Sequence, residues 1–173
     1  MECQMPCPTQ GRNQLFLQEN IIDILLTSET HPNTKSYFKI PQYIYFTNHS
    51  GGNAHEGTAV IVKQTISHNE LPKYEEDFPQ ATSIRVRTLS YELTVTAMYS
   101  PPKHNLKKDH YDLFFSTLSP RFMAVGDYKS KHTVCGSRIT TIKGRELFDI
   151  LQEKNYSFLT SGKPAYWPTD RTK

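Results

Sequence analysis

The chain has 173 residues, 36% hydrophobic and 21% charged, with a formal net charge of +3. That length supports one domain with a core of useful size. Its longest apolar stretch, Ile21 to Leu26, is broken by Asp23, so no membrane span is expected. Residues 1–8 show neither the basic nor the apolar region of a secretory signal, which predicts a nuclear or cytoplasmic setting.

The cysteines, Cys3, Cys7 and Cys135, are odd in number and in a reducing compartment read as free thiols. A zinc site of Cys3, Cys7 and His31 would lack a fourth ligand, and an unstructured lead is the preferred reading of that end. Charge is unevenly spread. Residues 1–100 carry seven bases against ten acids, while residues 101–173 carry thirteen against seven. The second half is therefore the anion-facing half, and its bases Lys129, Lys131, Arg138, Lys143 and Arg145 suit a phosphate backbone. From charge alone, a solvated basic surface is the preferred reading.

In chain order, residues 1–11 read as an unstructured lead and residues 13–20 as a short helix before a strand at Ile21–Leu26. Tyr43–Thr47 and Thr58–Lys63 read as strands around a glycine-bearing loop. That loop holds His49, His55 and Glu56 without the H-E-x-x-H spacing of a zinc protease. Residues 80–88 and 91–99 alternate as an antiparallel hairpin turning at Thr88–Ser90, with Ala81, Ser83 and Val86 placed near one register. Leu106–Leu118 has helical spacing, Arg121–Val125 reads as a strand, Asp127–Thr141 as a polar loop, Gly144–Asn155 as a helix and Tyr156–Leu159 as a short strand. Hairpins mixed with helices that return to strands predict an α/β class, a layered sandwich rather than a doubly wound parallel sheet.

Three of these strands run out into polar residues: Ile21–Leu26 toward Glu29, Leu93–Met98 into Tyr99, and Phe122–Gly126 into Asp127. Carboxylates at the rims of buried strands bind metal or handle protons. Two of them with a tyrosine and a basic loop make a metal-assisted phosphodiesterase site, since magnesium takes one or two carboxylates plus substrate oxygens. The residues alone leave open that Glu29 caps a turn and Asp127 starts one.

Six segments occur in order: Ser28-Glu29-Thr30-His31, Gly57 to Val62, Met98-Tyr99-Ser100-Pro101-Pro102, Gly126 to His132, Gly136-Ser137-Arg138, and Tyr166-Trp167-Pro168-Thr169-Asp170. From about Leu15 onward the chain thereby resembles the apurinic/apyrimidinic-type endonuclease domain of jockey-like insect non-LTR retrotransposons, in the endonuclease/exonuclease/phosphatase superfamily. The resemblance implies a four-layered α/β sandwich, incomplete over residues 12–173. It also implies a nuclease that nicks target DNA so that a reverse transcriptase domain of the same polyprotein can prime on the cut. Carried over by position, Glu29 ligates magnesium, with manganese an alternative, Tyr99 contacts the scissile phosphate, and Asp127 orients and deprotonates water. Lys131, Arg138, Lys143 and Arg145 become DNA contacts.

The chain departs from the family pattern at several places. Lys129 stands where the family has an asparagine beside the phosphate or metal shell, Cys135 where a tryptophan is usual, and Ala165 where a threonine is. The family's opening strand with its asparagine, and its closing strands with an aspartate and a Ser-Asp-His, find no match. His132 falls on a loop position and replaces none of them. The expectation is a fragment of a nicking endonuclease without activity of its own; a non-catalytic nucleic-acid-binding module and a non-functional genomic relic remain as alternatives.

Overall fold

A computed structural model of the chain describes residues 15–28, 40–48, 57–74 and 79–160. The chain forms two compact units, Met1–Ser100 with Leu118–Tyr128, and Pro101–Thr117 with Lys129–Lys173.

In the first unit, helix α1, described over residues 15–19, ends as Ile22 N–H donates to the Leu17 carbonyl at 3.0 Å. Ile21 lies in the left-handed region at φ 51° and is 77% exposed. The expected strand at Ile21 therefore begins only at Ile24, because a left-handed residue cannot sit in a ladder. Strands β1 (Ile24–Ser28), β2 (Tyr43–Asn48) and β3 (Thr58–Lys63) form an antiparallel sheet in the order β1-β3-β2. A second sheet has the order β4-β5-β6-β7, from β4 (His68–Glu70), β5 (Gln80–Arg87), β6 (Glu92–Tyr99) and β7 (Phe122–Asp127). Its β5–β6 pair is the expected hairpin, and β7 joins β6 in parallel.

Alternation decides what the sheets bury between them. Val60 and Val62 of β3 meet Ile84 and Val86 of β5 and Val95 and Ala97 of β6, and Ile24, Leu26, Phe46, Ile66 and Leu93 close the periphery. Full burial of each valine or isoleucine in this cluster stabilises the fold by about 1.5–3 kcal/mol. Inward-facing Ile84 and Val86 share a face with Thr82; Ala81 and Ser83 lie on the opposite one, so the expected grouping of Ala81, Ser83 and Val86 is corrected. On the other face of the first sheet, Leu17 of α1 is buried with Ile40 and Ile61, flanked by Leu25, Tyr43 and Tyr45. Burial there pushes the Tyr45 phenol above its ordinary pKa.

The hairpin turn is built by one side chain. Thr88 Oγ1 accepts from Ser90 N–H at 3.3 Å and Tyr91 N–H at 3.0 Å, and Thr88 N–H donates to the Tyr91 carbonyl at 2.9 Å. At the opposite end of the sandwich the two sheets are tied by polar contacts. The hydroxyls of Thr58 and Thr82 lie 2.8 Å apart, and Asn48 Nδ2 donates to the Ala81 carbonyl at 3.0 Å.

In the second unit, helix α2 (Lys108–Ser116) is shorter than the predicted 106–118. Thr117 N–H and Oγ1 both donate to the Phe114 carbonyl, closing its last turn. Tyr111, Phe114 and Phe115 are its buried face. Helix α3 (Ile142–Glu153) starts two residues earlier than expected because Thr141 Oγ1 accepts from Gly144 N–H at 3.1 Å, an N-cap. Ion pairs Lys108–Glu153 and Lys154–Asp112, the latter at 2.8 Å, join the two helices. At its end Asn155 adopts φ 54° and Tyr156 N–H donates back to the Leu151 carbonyl at 2.8 Å, a Schellman close. The predicted strand Tyr156–Leu159 does not form among the described residues. Its aromatics pack on helices instead: Tyr156 edge-on to Phe115 at 5.6 Å and Phe158 edge-on to Phe148 at 6.2 Å.

Candidate active site at the strand ends

Parallel pairing sets Asp127 in register with Tyr99, and antiparallel pairing sets Tyr99 opposite Gln80. Register partners share a face of the sheet, so Asp127, Tyr99 and Gln80 form a row across the ends of β7, β6 and β5 on the side of Val95 and Ala97. That row lies at the end of the sandwich where Thr58 meets Thr82. Tyr99 is 5% and Gln80 2% exposed, while Asp127 is half-buried. Asp127 is the last residue of β7 rather than a loop residue beyond it, and its carbonyl accepts from Ser100 N–H at 3.0 Å. The carboxylate therefore sits on a ladder position.

The glycine before it has a steric reason. A Cβ on Gly126 would lie 1.7 Å from the Met98 carbonyl oxygen, so only glycine lets β7 close on β6 there. The strand itself is less buried than the apolar run predicts. It is a sheet edge among the described residues, with Met123 48% and Val125 43% exposed.

Glu29 lies outside the described residues; Ser28, before it, ends β1 in register with Thr58 at this same end. The oxygen donors present, a carboxylate and a phenol, suit a hard cation in kind. Among the described residues, however, no three His, Cys, Asp or Glu side chains gather into a metal-holding group. Gln80 is a site residue that the sequence pattern does not single out. Its one signal is a polar residue opening a strand whose next inward positions are Thr82 and Ile84.

The predicted basic contacts belong to the second unit and divide in two. Lys129, Lys131, Arg138 and Arg145 are exposed. Lys143 is not: it is 5% exposed and Nζ donates to the Pro101 carbonyl at 2.9 Å, so its expected place on a DNA-facing surface is corrected to a buried one. Lys129 sits at φ 47°, a left-handed conformation that asparagine adopts far more readily than lysine. No helix of the described residues is long and apolar enough to cross a membrane.

No protein-family model matches the chain. It is 31% identical over 162 residues to the RNA-directed DNA polymerase from mobile element jockey of Drosophila melanogaster, and 29% identical to that of Drosophila funebris. Each alignment covers 92% of this chain and 18% of the relative, so the chain spans under a fifth of the length of these polymerases. Among solved structures, the endonuclease domain of TRAS1, a telomere-specific non-LTR retrotransposon, superposes with a TM-score of 0.63 at 17% identity, covering 83% of this chain and 64% of that domain. A humanized D. rerio TDP2 superposes with a TM-score of 0.54 at 11% identity, covering 72% and 56%. The α/β sandwich expected from sequence is thus borne out, and the resemblance read from six short motifs holds: the chain is related to jockey-like non-LTR elements and has the fold of a non-LTR retrotransposon endonuclease domain.

Proposed function

We propose that the chain is part of an endonuclease that nicks target DNA by magnesium-dependent phosphodiester hydrolysis, serving a reverse transcriptase on the same polyprotein. The observation that supports this is the row of Asp127 and Tyr99 at the ends of paired parallel strands, a carboxylate beside a phenol on one face. In this reading Asp127 takes the proton of an attacking water held in line with the phosphorus, and the Tyr99 hydroxyl donates to a non-bridging phosphate oxygen. Glu29 would hold the magnesium, whose chemistry is to polarise the phosphate and neutralise its developing charge. Lys131, Arg138 and Arg145 would hold backbone phosphates, which fixes the duplex without reading its sequence.

A second reading, a DNA-binding module without catalysis, is favoured by Lys129. The resemblance implies an amide at that position to help hold the phosphate or metal shell, and an ammonium does not supply one. Loss of one group that stabilises the transition state costs about a hundred- to a thousand-fold in rate. The 173-residue chain is therefore expected to bind duplex DNA, with affinity falling steeply as salt rises, and not to relax supercoiled plasmid in magnesium or manganese. Salt-insensitive binding, or none, would remove both readings. Nicking that Glu29→Ala and Asp127→Ala each abolish would instead establish the catalytic reading and overturn the expected silence.

A further inference from the structure

The hairpin end of the first unit, opposite Asp127 and Tyr99, carries a groove of about 920 Å³. Asp23, just before β1, and Ile66, just after β3, line it together with Val86, Arg87, Leu89 and Tyr91 of the β5–β6 hairpin. The bonds that Thr88 makes fix the turn, so its apolar residues are displayed on a rigid support. Leu89 is fully exposed at the tip, and Tyr91 is 46% exposed. Charge on the rim is unequal. Asp23 is matched by Lys63 at 3.7 Å, but Glu92 is shared between Arg87 at 3.1 Å and Arg85 at 3.7 Å. Arg121 lies 5.2 Å from the centroid of the Tyr91 ring and has no carboxylate partner among the described residues. The groove therefore joins an apolar lining to a cationic rim.

Such a lining fits a short peptide that carries an aromatic anchor beside carboxylates, since tyrosine and arginine are enriched where proteins meet. A phosphate backbone would engage the arginines and leave Ile66, Leu89 and Tyr91 unused. The chain itself contains a matching stretch. Three acids occur in succession only at Glu75-Glu76-Asp77, and Tyr74 and Phe78 flank them. Residues 75–78 lie outside the described residues, but they are joined to Pro79, which is fully buried at the start of β5. That strand carries Gln80 and Arg87 at its two ends, about 23 Å apart at 3.3 Å per residue. From Pro79, four residues reach at most about 14 Å. The acidic segment therefore cannot fill the groove of its own chain, and the occupant it fits is the groove of another copy.

We propose that this groove is an interface between copies of the chain. Segment 75–78 of one copy sets its carboxylates on Arg87 and Arg121 of the next and its phenyl ring among Ile66, Leu89 and Tyr91. The contact is head-to-tail, so it builds rows or a ring rather than stopping at a two-fold dimer. Sedimentation velocity of the 173-residue chain over a concentration series tests it. Every chain carries Val125→Lys, which takes the β7 edge out of the measurement. The sedimentation coefficient should rise with concentration at low salt and fall in about 1 M salt, which screens charges beyond about 3 Å. Arg87→Gln/Arg121→Gln and Glu75→Gln/Glu76→Gln should each lose the association. Mixed in equal amounts, these two variants should form 1:1 pairs and nothing larger, because one keeps an intact segment and the other an intact groove. A synthetic peptide of residues 73–79 should disperse the assemblies of the unneutralised chain. Should the arginine variant not fold, Leu89→Ser, a change outside the core, replaces it in the same comparison. A chain that stays monomeric, association that either neutralised variant retains, or mixed variants that remain apart would overturn the interface.

Discussion

Adding one methyl group at position 126 should cost much of the fold and all of the site geometry. In Gly126→Ala the new Cβ would meet the Met98 carbonyl oxygen at 1.7 Å, with the Met98 carbonyl carbon at 2.7 Å and its nitrogen at 2.9 Å. All three are backbone atoms of β6, which cannot rotate aside, so β7 must retreat by roughly 1.5 Å to regain ordinary van der Waals separation. A retreat of that size breaks the ladder on both sides of Gly126, including the bond from Ser100 N–H to the Asp127 carbonyl. Two or three broken hydrogen bonds at about 1 kcal/mol each give about 3 kcal/mol. That is a large share of the 5–15 kcal/mol that typically holds a domain together. For a chain of this size it corresponds to a fall in Tm of about 6–12 °C. Thermal unfolding followed by circular dichroism, parent beside variant, measures it. A variant melting within about 1 °C of the parent would show that β7 does not approach β6 as described, and the register of Asp127 with Tyr99 would fall with it.

Lys129→Asn should raise stability by about 0.5–1 kcal/mol in urea titration, because asparagine tolerates the φ of 47° held there; no gain would mean the left-handed conformation is wrong. Lys143→Glu should unfold the chain rather than merely weaken DNA binding, since it would set a buried carboxylate against the Pro101 carbonyl; a folded Lys143→Glu chain with altered salt dependence would return that residue to the surface. The edge at β7, open among the described residues and with Met123 and Val125 exposed, should drive self-association that Val125→Lys reduces, readable by sedimentation; identical behaviour of the two chains would acquit that edge. The Lys108 and Lys154 ammonium groups are pushed above their ordinary pKa first by hydrogen bonds to Glu153 and Asp112. Their contribution to stability is present below the ordinary lysine pKa and is lost as pH rises through the raised values, so Lys108→Met/Lys154→Met should flatten that alkaline decline, and an unchanged decline would assign it elsewhere.

Much of this fold is legible wherever a two-residue alternation runs long enough, as in β3, β5 and β6. The β5–β6 hairpin and the two strand-end residues Tyr99 and Asp127 follow from that pattern and the turn at Thr88. It fails where backbone geometry overrides hydropathy. Ile21 is apolar but left-handed, which delays β1, and Asn155 turns the chain so that an extended apolar segment finds helices instead of a strand. The three-residue strand β4 is too short and polar to show a period at all. Lys143 misleads for a different reason: charge on a one-dimensional string carries no sign of which lysine will find a carbonyl inside.

The parallel pairing of β6 with β7 also bears on when the site comes into being. Tyr99 meets Gln80 across a hairpin, a local closure that chains make within microseconds. It meets Asp127 only after the intervening segment, α2 included, has been looped out and brought back. Closing that longer loop costs entropy that nothing offsets until β7 docks, so the strand should arrive late, after the β5–β6 ribbon has formed to receive it. The two candidate site residues are then assembled by one of the last steps of folding, and a nascent chain emerging through Tyr99 holds half a site until β7 has docked.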